Sequence, residues 1–204
     1  DMNLDGAEGA QWLARVAGSE GVVRLESGLL YSVERPGTGK RTPRKMDVCS
    51  VYYVGMLPNG TVFDRHMPSA LDDGDGDGVL PPARIVPSQA IPGWEQALLI
   101  MTAGATWDVY LPPALAFGGP SKEVSRGSPL KAAAPEAAMR WYFPGEPDPS
   151  VGASTVIPAH SPVKFTIRLV SFKDPHFGPK DPDSPLTCPS QLPKPAPEPG
   201  RQPA

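Results

Sequence analysis

An α+β domain, with one helix laid across a face of an antiparallel sheet, is the architecture this chain predicts. Three observations carry it. Residues 163–173 alternate strictly, with Val163, Phe165, Ile167 and Leu169 on one face and Lys164, Thr166 and Arg168 on the other. Residues 47–57 also alternate: Cys49, Val51 and Tyr53 face one way, Ser50, Tyr52 and Val54 the other. Residues 93–101 change period, because Trp94, Ala97, Leu98 and Met101 fall at i, i+3, i+4 and i+7.

The remaining elements follow in order. Residues 5–17 read as a short helix with Trp12, Leu13 and Val16 on one side, too short to stand without a partner surface. Residues 29–35 read as a strand ending in the turn Pro36-Gly37-Thr38-Gly39. After the strand at 47–57, Pro58-Asn59-Gly60 turns the chain, since Asn-Gly tolerates positive φ, and Thr61 to Asp64 return as a second strand. Residues 65–84 read as a loop. Residues 104–111 are a strand with Trp107, Val109 and Leu111 on one face, stopped by Pro112-Pro113. Residues 118–155 show no clear period, with one or two helical turns near 132–138. From Asp174 onward ten prolines fall in 31 residues, a composition that builds no core and favours extended chain. Four or five strands and one packed helix result. The expected division is an N-terminal extension at 1–18, a domain at 19–174 with insertions near 65–84 and 119–152, and a proline-rich tail at 175–204.

Composition narrows the function classes. A net charge of −3 gives no electrostatic case for nucleic acid or an anionic membrane surface. No run of apolar residues is long enough to span a bilayer. Two cysteines, Cys49 and Cys188, are too few for a disulfide framework and read as unpaired thiols. The chain opens on Asp1, from which a processed organellar or secreted protein is expected, with no signal segment to name the compartment. Asp73-x-Asp75-x-Asp77-Gly78 copies half of a calcium loop, but Arg84 stands where the closing glutamate belongs and Pro81-Pro82 forbid the exit helix. His66, His160 and His176 have no ligand spacing, so neither metal nor cofactor is expected. No nucleophile motif or phosphate loop accompanies the aromatic segments. The chemistry is expected to come from shape and desolvation.

The hairpin Tyr53-x-Gly55-x-Leu57-x-x-Gly60-x-x-Phe63-Asp64 precedes the helix start Ile91-x-Gly93-Trp94. Met101-x-x-Gly104, Leu111-Pro112-Pro113-x-x-Ala116-Phe117-Gly118, Val156-Ile157-Pro158 and the strand around Phe165 follow. In this order and spacing, across roughly residues 28–173, the chain resembles the FK506-binding-protein (FKBP) family of peptidyl-prolyl isomerases. Glu26-Ser27-Gly28-Leu29-Leu30-Tyr31, after a short helix, is similar to the macrophage infectivity potentiator branch, whose longer N-terminal helix makes dimers. The resemblance implies an antiparallel β half-barrel wrapped around a single short helix, and catalysis of cis–trans exchange at X-Pro bonds of polypeptides.

That reaction crosses a barrier of ~18–20 kcal/mol because rotation breaks amide resonance. No heavy-atom bond breaks, so no nucleophile is needed. The twisted amide separates less charge than the planar one, and an apolar cavity therefore favours it. By resemblance, Trp94 is the floor under the proline ring, and Tyr53, Phe63, Ile157 and Phe165 are the walls. The backbone N–H of Ile91 holds a substrate carbonyl, and Asp64 orients polar groups at the rim. Plain core packing remains the alternative for each aromatic, for Phe165 above all.

The sequence departs from the family in four places. Phe117 stands where a tyrosine hydroxyl would donate to ligand, a loss of about 0.5–1.5 kcal/mol. Leu80, Pro81 and Pro82 replace an aromatic before the helix, and Ala90 replaces valine. About 35 residues separate Gly118 from Thr155 in a loop that is normally short; they carry Met139, Arg140, Trp141, Tyr142 and Phe143. Reduced isomerase activity and weak macrolide binding are expected. The competing reading is a non-catalytic scaffold subunit that binds a larger protein assembly through this insertion and the tail.

Overall fold

The computed structural model describes residues 6–68, 81–119, 121–125 and 154–174. In these residues the chain forms α1 (Gly6–Ala17), β1 (Val22–Arg24), β2 (Leu30–Arg35), β3 (Val48–Met56), β4 (Val62–His66) and β5 (Ala83–Ile85). Then come α2 (Pro92–Ile100), β6 (Thr106–Leu111), β7 (Lys122–Ser125), β8 (Ser154–Ile157) and β9 (Val163–Lys173). The main sheet is open and antiparallel, in the order β1-β2-β6-β9-β3-β4, with β5 also paired to β3. β7 and β8 form a separate ribbon.

β9 sits between β6 and β3, and its alternation explains that place. Val163, Phe165, Ile167 and Leu169 are all fully buried on the concave face. β3 contributes Cys49, Val51 and Tyr53 to the same core, and β6 contributes Trp107, Val109 and Leu111. Into this face packs the stripe of α2, where Trp94, Ala97, Leu98 and Met101 have no exposed surface. Each large side chain so buried stabilises the fold by roughly 1.5–3 kcal/mol.

α2 begins where it does for local reasons. Ile91 is extended (φ −61°, ψ 150°), and its carbonyl accepts the N–H groups of Trp94 (2.9 Å) and Glu95 (3.1 Å). Pro92 follows at the first helical position, where a missing N–H costs nothing. Gly93 lets the helix end press on the sheet: a Cβ there would lie 2.7 Å from Leu111 Cδ1 and 2.9 Å from the Leu115 carbonyl.

The outer edge of β3 is shared. β5 pairs with Cys49–Val51 and β4 with Tyr53–Met56, so two short strands complete one edge with an excursion between them. The stretch expected to be loop at 65–84 therefore ends in sheet at both sides: Arg65 and His66 belong to β4, and Ala83 and Arg84 to β5. The featureless stretch at 118–155 likewise has strand at each end, in β7 and β8. β1 and β5, three residues each, are too short for a period to show. Nine strands are described, against the four or five expected. β6 starts at Thr106 rather than 104, because Gly104 takes positive φ (86°) and its N–H turns to the Leu169 carbonyl at 2.7 Å. The expected turn at 36–39 is open chain, whose Thr38 and Gly39 N–H groups both donate to Ala103 O.

In the β3–β4 turn only Gly60 adopts positive φ (86°). Asn59 contributes its side chain instead, its Oδ1 accepting the Thr61 N–H at 2.9 Å.

α1 finds the partner surface it needed on the opposite face of the sheet. Trp12 meets the Tyr110 ring edge-on at 5.7 Å. Gly9 rests on Pro162, where a Cβ would come within 2.6 Å of Cδ. Lys164 lies over Tyr110 and pairs with Asp108 at 2.6 Å, while Thr166 donates to the other Asp108 oxygen. Burial alone would lower the Lys164 pKa; the hydrogen bond and charge of Asp108 outweigh it and hold the ammonium above its ordinary range.

Candidate functional site

Five aromatic rings on four elements and one loop run together. Tyr53 meets Trp94 at 5.1 Å and 86°. Trp94 meets Phe165 at 5.3 Å and 85°, and Phe165 meets Phe63 at 5.6 Å and 88°. Phe63 meets Phe117 at 6.0 Å and 87°, and Tyr53 also meets Phe165 at 6.5 Å. All are edge-to-face contacts, each worth about 0.5–1.5 kcal/mol beyond area burial. They hold the rings in one mutual arrangement.

A β-bulge aims two neighbouring side chains inward. Gly55 pairs with Asp64 and Met56 with Val62, which leaves Phe63 as the extra residue. In a regular strand Phe63 and Asp64 would face opposite ways. Here both are buried, Asp64 to 7% exposure. Gly55 makes the space: a Cβ there would lie 2.8 Å from Phe63 Cε2 and Cζ and 2.8 Å from Phe165 Cε1. That need was readable, because a glycine inside an otherwise bulky strand marks a bulge or a close approach.

Trp94 sits deepest, at 0% exposure. Its Nε1–H is buried and finds no nitrogen or oxygen acceptor among the described residues. Ile91 is buried at the helix entry, and among the described residues its N–H donates to no backbone carbonyl. Ile157 ends β8 and joins the same buried cluster. Phe117 is only half-buried and follows the 3-10 turn after β6. Of the eight residues singled out in the sequence it is the only one not fully packed away.

The sequence did not single out His66. It ends β4 in register with Tyr53 and is 5% exposed. Its ring lies 6.0 Å from that of Tyr53 and 6.2 Å from that of Tyr52. Nε2 is 2.8 Å from the Pro81 carbonyl, which only accepts, so Nε2 carries the proton. Nothing in its spacing announced this. The Tyr52 phenol is raised by burial, with Arg168 opposing.

No group of three His, Cys, Asp or Glu among the described residues is placed to hold a metal. No described helix is long and apolar enough to cross a membrane. Cys49 is an unpaired, buried thiol. Leu80, the acidic run at 72–78, the 139–143 aromatics, Cys188 and the proline-rich tail lie outside the described residues.

The model of the family "FKBP-type peptidyl-prolyl cis-trans isomerase" matches residues 39–170. The FKBP-type isomerase FkpA of Aeromonas hydrophila is 40% identical over 54% of this chain and 37% of its own length. The outer membrane protein MIP of Legionella longbeachae is 40% identical over 55% of this chain and 43% of its own. The macrophage infectivity potentiator of Trypanosoma cruzi is 30% identical over 81% and 64%. The chain thus spans between about a third and two thirds of the length of these relatives. The crystal structure of FkpA from Escherichia coli superposes with a TM-score of 0.55 at 25% identity, over 82% of this chain and 59% of that one. With its family motifs in order on a sheet that wraps one helix, and a buried ring cluster where those motifs meet, the chain belongs to the FKBP-type peptidyl-prolyl cis-trans isomerases.

Proposed function

We propose that the folded unit at 19–174 catalyses cis–trans isomerisation of X-Pro bonds in polypeptides, by desolvating the twisted amide. The observation that carries this reading is the Trp94 floor, boxed edge-on by Tyr53 and Phe165, with Phe63 packed against Phe165. A proline ring on that floor meets apolar surface only, which disfavours the planar, more polar amide. The free Ile91 N–H fixes the substrate carbonyl, and Asp64 acts at the rim. No proton is transferred.

Two features support an activity below that of strong family members, with weak macrolide binding. Phe117 offers no hydroxyl to a ligand. The indole is fully covered, so an incoming proline ring has to displace a side chain. The same covering favours a second reading, an isomerase-like scaffold subunit that engages a larger assembly through the 119–152 insertion and the tail.

Turnover of a short X-Pro peptide by the full chain separates the two. Acceleration over the uncatalysed rate, abolished in Trp94→Phe and reduced in Asp64→Asn, is expected of the enzyme. A wild-type rate equal to the uncatalysed one, in protein shown to be folded, refutes the catalytic reading.

A further inference from the structure

The chain leaves the sheet after β4 and returns at β5, and the two ends of that excursion are tied by one side chain. We infer that His66 is a positioning residue for the isomerase site: its hydrogen bond to the Pro81 carbonyl closes the neck of the β4–β5 excursion and thereby fixes the ring of Tyr53. The inference rests on the proposed function for its catalytic part, and on geometry alone for its structural part.

Four observations converge. The bond is short, 2.8 Å, and spans 15 residues, so it is not a local turn contact. The imidazole is 5% exposed, where an unmade hydrogen bond is costly. Tyr53, its register partner, lies nearly parallel to it (26°), and Tyr52 is also nearly parallel (17°). Tyr53 in turn meets the Trp94 indole. Without His66 the strand edge beside Tyr53 loses both its lateral ring and the hydrogen bond to Pro81. A loosened wall lowers the rate of a reaction driven by fixed shape while leaving peptide contacts elsewhere in place.

The test uses three variants of the full chain. His66→Ala removes ring and donor. His66→Gln keeps an N–H donor near the Nε2 position, and His66→Phe keeps the ring without the donor. With a short X-Pro peptide, kcat is expected to fall about tenfold in H66A and H66F with KM changed less than twofold, and to recover to within about threefold of wild type in H66Q. Nitrogen-15 spectra should show Nε2 protonated in wild type, and the Tyr53 ring signals should broaden in H66A but not in H66Q. Wild-type kcat in H66A, or H66Q as impaired as H66A, overturns the inference. If the wild-type chain proves inactive, the proposed function falls on its own. The Tyr53 signals then decide the positioning role: unchanged signals in H66A refute it.

Discussion

Gly55→Ala tests the tightest point of the site. The added Cβ would lie 2.8 Å from two atoms of the Phe63 ring and 2.8 Å from one of Phe165, and neither ring can retreat. Phe63 is backed by Phe117, and Phe165 by Trp94 and Tyr53. Overpacking of this kind costs about 2 kcal/mol, within a range of roughly 1–3. Gly55 does not adopt positive φ, so alanine also returns about 0.7 kcal/mol of unfolded-state entropy. The net loss is about 1.3 kcal/mol, or a Tm lower by roughly 3–5 °C for a domain of this size. Urea unfolding of wild type and G55A reads it directly. A cycle with Phe63→Leu, which removes two of the three close atoms, should show G55A costing about 1 kcal/mol less in that background. An equal cost in both backgrounds, or a G55A protein as stable as wild type, would refute the account of Gly55 as the space between two rings.

Three further outcomes are expected. Burial, with the charge of Asp47 behind it, pushes the Cys49 thiol from 9.0 up to about 12. A raised folded-state value makes the neutral thiol's contribution complete below about pH 9 and lost as pH climbs toward 12. Stability should therefore fall more steeply between those limits in wild type than in Cys49→Val, with parallel curves counting against it; at pH 8 the Cys49 thiol should not react with a disulfide reagent before urea is added. Phe117→Tyr should tighten macrolide binding by about 0.5–1.5 kcal/mol, roughly two- to twelvefold in Kd by calorimetry. Trp12→Ala should cost about 1 kcal/mol, release α1 to amide exchange and leave peptide turnover unchanged.

The sequence spoke most clearly where one face of an element is buried. β9, β3 and α2 were legible because a period of two or of 3.6 sorts core from solvent, and all of their inward residues are buried. β1 and β5 were not, since three residues cannot display a period. The paired burial of Phe63 and Asp64 was legible only indirectly, through Gly55, because a bulge breaks the alternation by which facing is read. The motif residues were named through the family resemblance, and the ring contacts then bring five of them together. His66 carried no such signal. Its part depends on Pro81, which only the returning strand brings within reach.

The divided edge of β3 has a practical corollary. Because β4 and β5 each hold their own register, the length of chain between them enters folding only through the entropy of closing a loop, about 0.6 kcal/mol for each doubling. That junction is a natural port. A reporter or a foreign recognition peptide inserted between the two strands should leave both pairings with β3 in place.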